Sequence, residues 1–183
     1  MANIGSIGEK VFAPDDMEWE ESKYAFLTGL LQREGGSKRV KDTGGWTRYG
    51  ISERAHGSEY VIWDLTEDQA RSIYEDQYMP DAINRIGRNN VAFKFIDMNV
   101  NMGWGNATFV LQKALGLPPD GAFGPKTEKR LQQMIETFGE EEVINKISKA
   151  QLSYYDSLRT SNPNKYGKYG GWDERAAYNP SKE

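Results

Sequence analysis

The front of the chain contains one helical pattern followed by one extended pattern. Apolar residues at positions 26, 27, 30 and 31 recur at three- and four-residue intervals, which predicts an amphipathic helix from Asp15 to about Arg33. Gly35 and Gly36 follow and are expected to end it. The helical periodicity then fails over residues 37–52, where two glycines (Gly44 and Gly45) separate two short segments. This pattern predicts a β-hairpin.

The rest of the chain is predicted to be helical. A capping box formed by Thr66 and Gln69 opens a helix that we expect to end near Tyr78, before Pro80. Apolar residues dominate the segment 91–102, which predicts a helix that is buried on most sides. Further helices are predicted over three segments: 106–115, 125–138 and 140–158. The chain is therefore expected to be mainly α, with one small hairpin near its front.

Composition narrows the class of protein. The chain has 183 residues, of which 38% are hydrophobic and 27% charged, as in an ordinary globular domain. It has no cysteine and one histidine, so neither thiol chemistry nor a zinc site is expected. No apolar run approaches the roughly 18 residues of a membrane helix, and membrane insertion is not expected. The first 16 residues lack the pattern of a secretory signal.

The negative charge is concentrated at the front of the chain. The net charge is −4, and residues 1–22 contain six acidic side chains and one lysine, which leaves about +1 for the remainder. Nucleic acid is not expected as a ligand, because its recognition requires a concentrated basic face.

A glutamate, Glu34, occupies the next position of the apolar stripe in the first helix. Burial and the negative end of the helix both disfavour a charged carboxylate, and a general acid needs the protonated form. Asp42 and Thr47 follow in the predicted hairpin. Such an arrangement suits glycoside hydrolysis, in which one carboxylic acid protonates the leaving oxygen and a second group handles water. A solvated helix-end glutamate, a turn aspartate and an ordinary strand threonine explain the same residues.

The run REGGSKRVKDTGGWTRYGIS, residues 33–52, resembles the signature of glycoside hydrolase family 108. Four later segments match patterns of that family in the same order, and the third of them is also similar to peptidoglycan-binding modules. They are LTEDQARSIYEDQYM (65–79), FIDMNVNMG (95–103), LQKALGLPPDGAFGPKT (111–127) and GWDERAAY (171–178).

The resemblance implies a lysozyme-like domain over residues 15–178, preceded by an irregular arm over residues 1–14. Residues 105–178 would be an integral helical part similar to a peptidoglycan-binding element. The implied activity is that of an N-acetylmuramidase, with Glu34 as the general acid and with Asp42 and Thr47 positioning or activating water. No metal or cofactor is implied, the partner is the peptidoglycan glycan strand, and nothing demands more than a monomer.

Many members of the family are phage endolysins. Such an enzyme accumulates in the host cytoplasm and reaches the cell wall through a holin, which agrees with the lack of a visible signal sequence. This location is therefore the one that the resemblance implies.

Other side chains are candidates for contact with substrate. Asp97 and Asn101 are four residues apart and share one face of the predicted helix, where they either line the sugar cleft or tie helices to the hairpin. Trp46, Tyr49 and Trp104 are candidates for stacking on sugar rings. Aromatic residues of this kind also commonly belong to the core.

Two other functions remain open at this stage. A lytic transglycosylase would use the same glutamate without water, which would leave Asp42 and Thr47 without a task. A non-catalytic peptidoglycan-binding or phage structural module would use the segment DGAFGPKT (120–127) and the aromatic tail, and would leave the Glu34 motif idle. Every residue of that segment also has a local structural explanation as a turn or a helix start.

Overall fold

The protein, analysed as a computed structural model, is mainly α-helical with one small sheet, as predicted. The structure describes residues 14–167 and 171–182. The predicted arm over residues 1–14 lies outside this range except for Pro14, which already belongs to the first helix. The elements are α1 (Pro14–Arg33), β1 (Val40–Asp42), β2 (Gly45–Arg48), β3 (Ile51–Ser52), α2 (Glu53–His56), α3 (Glu67–Ile86), α4 (Asn90–Met102), α5 (Trp104–Ala114), α6 (Pro125–Ser161), α7 (Pro163–Tyr166) and α8 (Trp172–Ala177), with 3-10 turns at Ile62–Asp64 and Pro180–Lys182.

Helix α4 lies at the centre of the molecule. Its residues 91–99 are all buried, which confirms the prediction for this segment. It packs against α3, α5 and α6, so apolar side chains are required on nearly every side. One hydrophobic cluster extends from Leu30 of α1 through Phe95 to Ile144 of α6, so the two halves of the chain share a core.

The sheet has three antiparallel strands in the order β1-β2-β3, one more than the predicted hairpin. Val40 pairs with Thr47, Asp42 with Gly45, and Thr47 with Ser52. Side chains alternate between the faces of a strand. The position of Asp42 therefore shares a face with Thr47, whereas Trp46 belongs to the opposite face.

Helix α3 begins as predicted but ends later. Thr66 accepts a hydrogen bond from the backbone N–H of Gln69 at 3.2 Å, which forms the predicted capping box. The helix continues through Pro80 to Ile86 instead of ending near Tyr78. An internal proline costs about 3 kcal/mol, but the buried residues around and beyond it outweigh this cost by packing in the core. These residues are Met79, Ala82 and Ile86.

The two helices predicted over 125–158 meet at Gly139. This residue has a φ of 78°, which interrupts α6 with a kink at the predicted boundary. Pro125 occupies the first turn of α6, where its missing N–H has no cost. No helix among residues 14–167 and 171–182 combines the length and the apolar character needed to span a membrane.

Candidate active site

Glu34 follows directly on the last residue of α1. Its backbone N–H donates to the carbonyl of Leu30 at 3.0 Å, so it continues the last turn of the helix. Gly36 donates to the carbonyl of Leu31 at 2.9 Å and accepts from the N–H of Tyr49 at 3.0 Å. These bonds hold the helix end against the sheet.

A glycine allows Glu34 and the sheet to approach closely. Gly50 has a φ of 75°, and a Cβ atom there would lie 2.9 Å from the Cβ of Glu34 and 2.7 Å from the hydroxyl oxygen of Tyr74. That hydroxyl donates to the carbonyl of Tyr49 at 2.9 Å. Burial, followed by the charge of Glu34, raises the pKa of Tyr74 and of Tyr78. Both phenols therefore remain protonated.

The carboxylate of Glu34 contacts an arginine from a distant part of the chain. Its Oε1 lies 2.7 Å from Nη1 of Arg175, which belongs to α8. Oε1 is buried, although the Glu34 side chain as a whole is 20% exposed. The guanidinium therefore places a positive charge beside the Glu34 carboxylate. The sequence pattern indicated only burial and the negative end of the helix around this side chain.

Arg175 is held in turn by Asp97, which is completely buried. Arg175 donates from Nε to Oδ2 of Asp97 at 3.1 Å and from Nη2 to Oδ1 at 3.2 Å. Arg33 donates from Nε to the same Oδ1 at 2.9 Å. Burial lowers the pKa of Arg175, but Asp97 and Glu34 outweigh this effect and the pKa is raised overall.

A buried lysine fixes the end of α8. Nζ of Lys94 donates to the carbonyls of Arg175 (3.3 Å), Ala176 (3.0 Å) and Tyr178 (2.8 Å). Burial lowers the pKa of Lys94 to about 8, against the opposing effect of Asp97. We refer to the five side chains of Arg33, Glu34, Lys94, Asp97 and Arg175 as the buried charge cluster.

The two predicted site residues on α4, Asp97 and Asn101, lie in different environments. Asp97 has no exposed surface, so its contacts favour the interpretation that it ties elements together rather than the one in which it contacts sugar. Asn101 is exposed, and its Oδ1 accepts the hydroxyl proton of Tyr155 at 2.7 Å. Asn101 therefore remains accessible to a ligand.

The predicted residues of the hairpin also differ in their surroundings. Thr47 is partly buried on β2, and the side chain of Asp42 lies outside the described part of the structure. The ring of Trp46 packs edge-on against Trp63, with 4.4 Å between ring centroids, on the face opposite Thr47. Tyr49 is only 4% exposed, so its ring belongs to the core.

The third aromatic candidate, Trp104, packs among other rings. It lies 4.9 Å from Phe95 and 5.9 Å from Phe123, measured between ring centroids. This arrangement favours the core interpretation.

Two charged residues near the site were not found by sequence reasoning. Arg175 belongs to the segment GWDERAAY. Its burial against α4 is visible only in the fold, so no sequence pattern could have identified it. Glu53 follows β3, and its Oε2 accepts the backbone N–H of Trp46 at 2.9 Å. It therefore places a further carboxylate at the sheet.

The segment 111–127 is held together by one side chain. Nε2 of Gln112 donates to Oδ1 of Asp120 (2.7 Å) and to Oγ1 of Thr127 (3.1 Å). Its Oε1 accepts the backbone N–H groups of Asp120 and Gly121, both at 2.9 Å. These contacts favour the interpretation in which the segment has a structural role. Among the described residues, no group of three or more His, Cys, Asp or Glu side chains is arranged to hold a metal.

The fold and the site together indicate a class of enzyme. A mainly α, lysozyme-like body presents a helix-end glutamate to a small antiparallel sheet, as in hydrolases of glycosidic bonds. Residues 27–103 match the family described as Glycosyl hydrolase 108, and residues 106–177 match the family described as Predicted Peptidoglycan domain. The first match confirms the resemblance to glycosyl hydrolase family 108 over that region, and the two matches together support a glycoside hydrolase that acts on peptidoglycan.

A solved structure shows the same fold. The protein in "Structure of Brucella abortus SagA" is 25% identical in sequence, with a TM-score of 0.64. The similarity covers 89% of this chain and 94% of that one. A comparison with curated proteins found no match.

Proposed function

We propose that the protein is an N-acetylmuramidase that cleaves the β-1,4 bond between N-acetylmuramic acid and N-acetylglucosamine. One observation carries this proposal. Glu34 is partly exposed at a helix end, where the glycine that follows Tyr49 leaves no room for a Cβ atom beside it, within the region that matches family 108. A carboxyl group so placed reaches a bound glycan and is held by the protein at the same time.

In the proposed reaction, the carboxylic acid of Glu34 donates its proton to the glycosidic oxygen. The bond from the anomeric carbon to that oxygen breaks, and the oxygen of a water molecule forms the new bond to the anomeric carbon. Asp42 and Thr47 position or activate this water, whose released proton replaces the one that Glu34 donated. The two residues lie on the paired strands β1 and β2, which supports a shared role. Attack by water from the opposite side of the sugar would invert the anomeric configuration.

We further propose that this activity serves host lysis by a phage. The enzyme would accumulate in the host cytoplasm and reach the wall through a holin. Expression in a Gram-negative host tests this: cells expressing the protein alone should remain intact, and cells expressing it with a holin should lyse. Lysis without the holin would contradict the proposed route.

Digestion of purified Gram-negative peptidoglycan tests the chemistry. The wild type is compared with Glu34→Gln and with Glu136→Gln, a matched exchange at an exposed position of α6. We expect wild type and Glu136→Gln to release fragments that end in reducing muramic acid, and Glu34→Gln to be slower by about 10²–10⁴-fold. Mass spectrometry identifies the ends.

Two results would contradict the proposal. Fragments with anhydro-muramic ends would identify a lytic transglycosylase and would remove Asp42 and Thr47 from a role with water. Sedimentation with the wall without any fragment would identify a binding module.

A further inference from the structure

We propose that Arg175 is a positioning residue for Glu34, so that α8 completes an active site otherwise built from the first region of the chain. This inference rests on the proposed function, because it concerns the same proton transfer. It also connects the two matched regions, since Glu34 lies in residues 27–103 and Arg175 in residues 106–177.

The geometry around the guanidinium supports this role. A guanidinium is planar and its N–H groups have fixed directions. Asp97 accepts from Nε and from Nη2, at 3.1 and 3.2 Å, and its backbone carbonyl accepts from Nη2 at 3.2 Å. With those two nitrogens bound, the guanidinium is held in place, and its Nη1 forms an ion pair with Oε1 of Glu34 at 2.7 Å, a contact of opposite charges and not an aligned hydrogen bond.

The backbone that carries Arg175 is fixed independently. Lys94 binds three carbonyls at the end of α8, and the guanidinium of Arg33 stacks on the ring of Tyr178 at 3.7 Å from its centroid. Arg33 also donates to Asp97. Displacement of Arg175 would therefore break contacts with both α1 and α4.

The charge of Arg175 has its effect in the transition state. As Glu34 gives up its proton, negative charge develops on its carboxylate, and a fixed cation nearby stabilises that charge. Asp97 balances much of the cation's charge in the ground state, because it accepts two of the guanidinium's hydrogen bonds. An interaction that strengthens in the transition state raises kcat and leaves KM unchanged.

Steady-state kinetics on soluble, uncross-linked peptidoglycan chains test the inference. The variants are Arg175→Gln, Arg175→Lys and, as a matched control, Arg159→Gln, which removes surface ion pairs to Asp156 and Asp173. We expect kcat of Arg175→Gln to fall about 10–100-fold with KM unchanged. Arg175→Lys should lie between this variant and wild type, because lysine keeps the charge and loses the planar fork. Arg159→Gln should match wild type.

Partial recovery of kcat in Arg175→Lys separates this role from a merely structural one, because lysine restores the positive charge beside Glu34 but not the planar contacts with Asp97.

The outcomes distinguish the two proposals. An inactive wild type, or a fully active Glu34→Gln, would refute the proposed function. An active wild type with inactive Glu34→Gln, but with Arg175→Gln equal to Arg159→Gln in kcat, would refute the positioning role alone. If circular dichroism shows that Arg175→Gln is unfolded, Arg175→Lys decides: reduced kcat at constant KM supports the inference, and unchanged kcat overturns it.

Discussion

At Gly50 the backbone passes so close to Glu34 that a single methyl group has no room. The positive φ of 75° and the short distances to Glu34 and Tyr74 make this position sensitive for two separate reasons. One is backbone strain, which affects stability. The other is displacement of Glu34, the proposed general acid, which would affect activity.

A Gly50→Ala exchange should separate these effects. We expect kcat to fall at least about tenfold, because the new Cβ displaces Glu34 or the Tyr74 hydroxyl. The strain should also cost about 1 kcal/mol of unfolding free energy. Thermal unfolding and kinetics on soluble peptidoglycan chains measure the two effects.

Gly116→Ala is the control for this exchange. Gly116 has a comparable φ of 69°, and its Cβ direction is open. Its stability should fall by a similar amount while its activity is preserved. Equal activity of the two variants would show that Gly50 does not position Glu34.

Sequence patterns located Glu34 because a carboxylate on an apolar helical stripe violates the pattern around it. The same patterns did not find Arg175, since an arginine in a short polar segment is ordinary until the fold buries it beside α4. They also made both Thr47 and Trp46 candidates for the site, although adjacent strand residues point to opposite faces. Local spacing predicted the acid, and long-range packing determined its partners.

Among the elements, the boundaries set by caps and glycines were predictable and the one set by proline was not. The boundaries at Thr66 and Gly139 depend on local backbone geometry, which a short stretch of sequence is enough to predict. The continuation of α3 beyond Pro80 depends on burial of Ile86, which is a tertiary effect. Local rules fail where packing energy exceeds the local preference.

The segment 111–127 gives a prediction at the same scale. Gln112→Leu keeps the side-chain volume but leaves the polar groups of Asp120, Gly121 and Thr127 without this partner. We expect a loss of about 2–4 kcal/mol in the free energy of unfolding, because one buried and several partly buried hydrogen bonds are removed together. Urea denaturation measures the loss, with Gln133→Leu on the exposed side of α6 as the control.

Binding to purified cell walls tests the opposite interpretation of this segment. If it is scaffold, Lys126→Gln at an exposed position should sediment with walls as wild type does. Loss of wall binding in Lys126→Gln, together with an unchanged stability of Gln112→Leu, would assign the segment to ligand recognition.

In the whole molecule, the buried charge cluster joins α1, α4 and α8 across the core. Its cost is visible at Lys94, which is fully buried and has a pKa of about 8 instead of 10.5. The folded state therefore releases this proton at a lower pH than the unfolded state does. Unfolding free energy rises with pH wherever the unfolded state binds more protons.

The pH dependence of stability should reveal this lysine. Relative to Lys94→Met, the wild type should have a constant difference in unfolding free energy below pH 8. Between pH 8 and pH 10.5 the unfolding free energy of the wild type should rise relative to that of Lys94→Met, by on the order of 1–3 kcal/mol. Denaturant unfolding at a series of pH values gives the difference, and a constant value throughout would show that Lys94 titrates as an exposed lysine does.

If Arg175 positions Glu34 as proposed, the contact between them also determines when during synthesis the chain can become active. A ribosome makes the chain from its amino end, so the glutamate and the sheet emerge long before the arginine is synthesised. On the proposal above, a nascent or prematurely terminated chain carries the acid without the cation that supports its reaction. On the same proposal, the hydrolase becomes active only after residue 175 has been translated and α8 has docked. Truncated products are therefore expected to be poor hydrolases even where their first region folds.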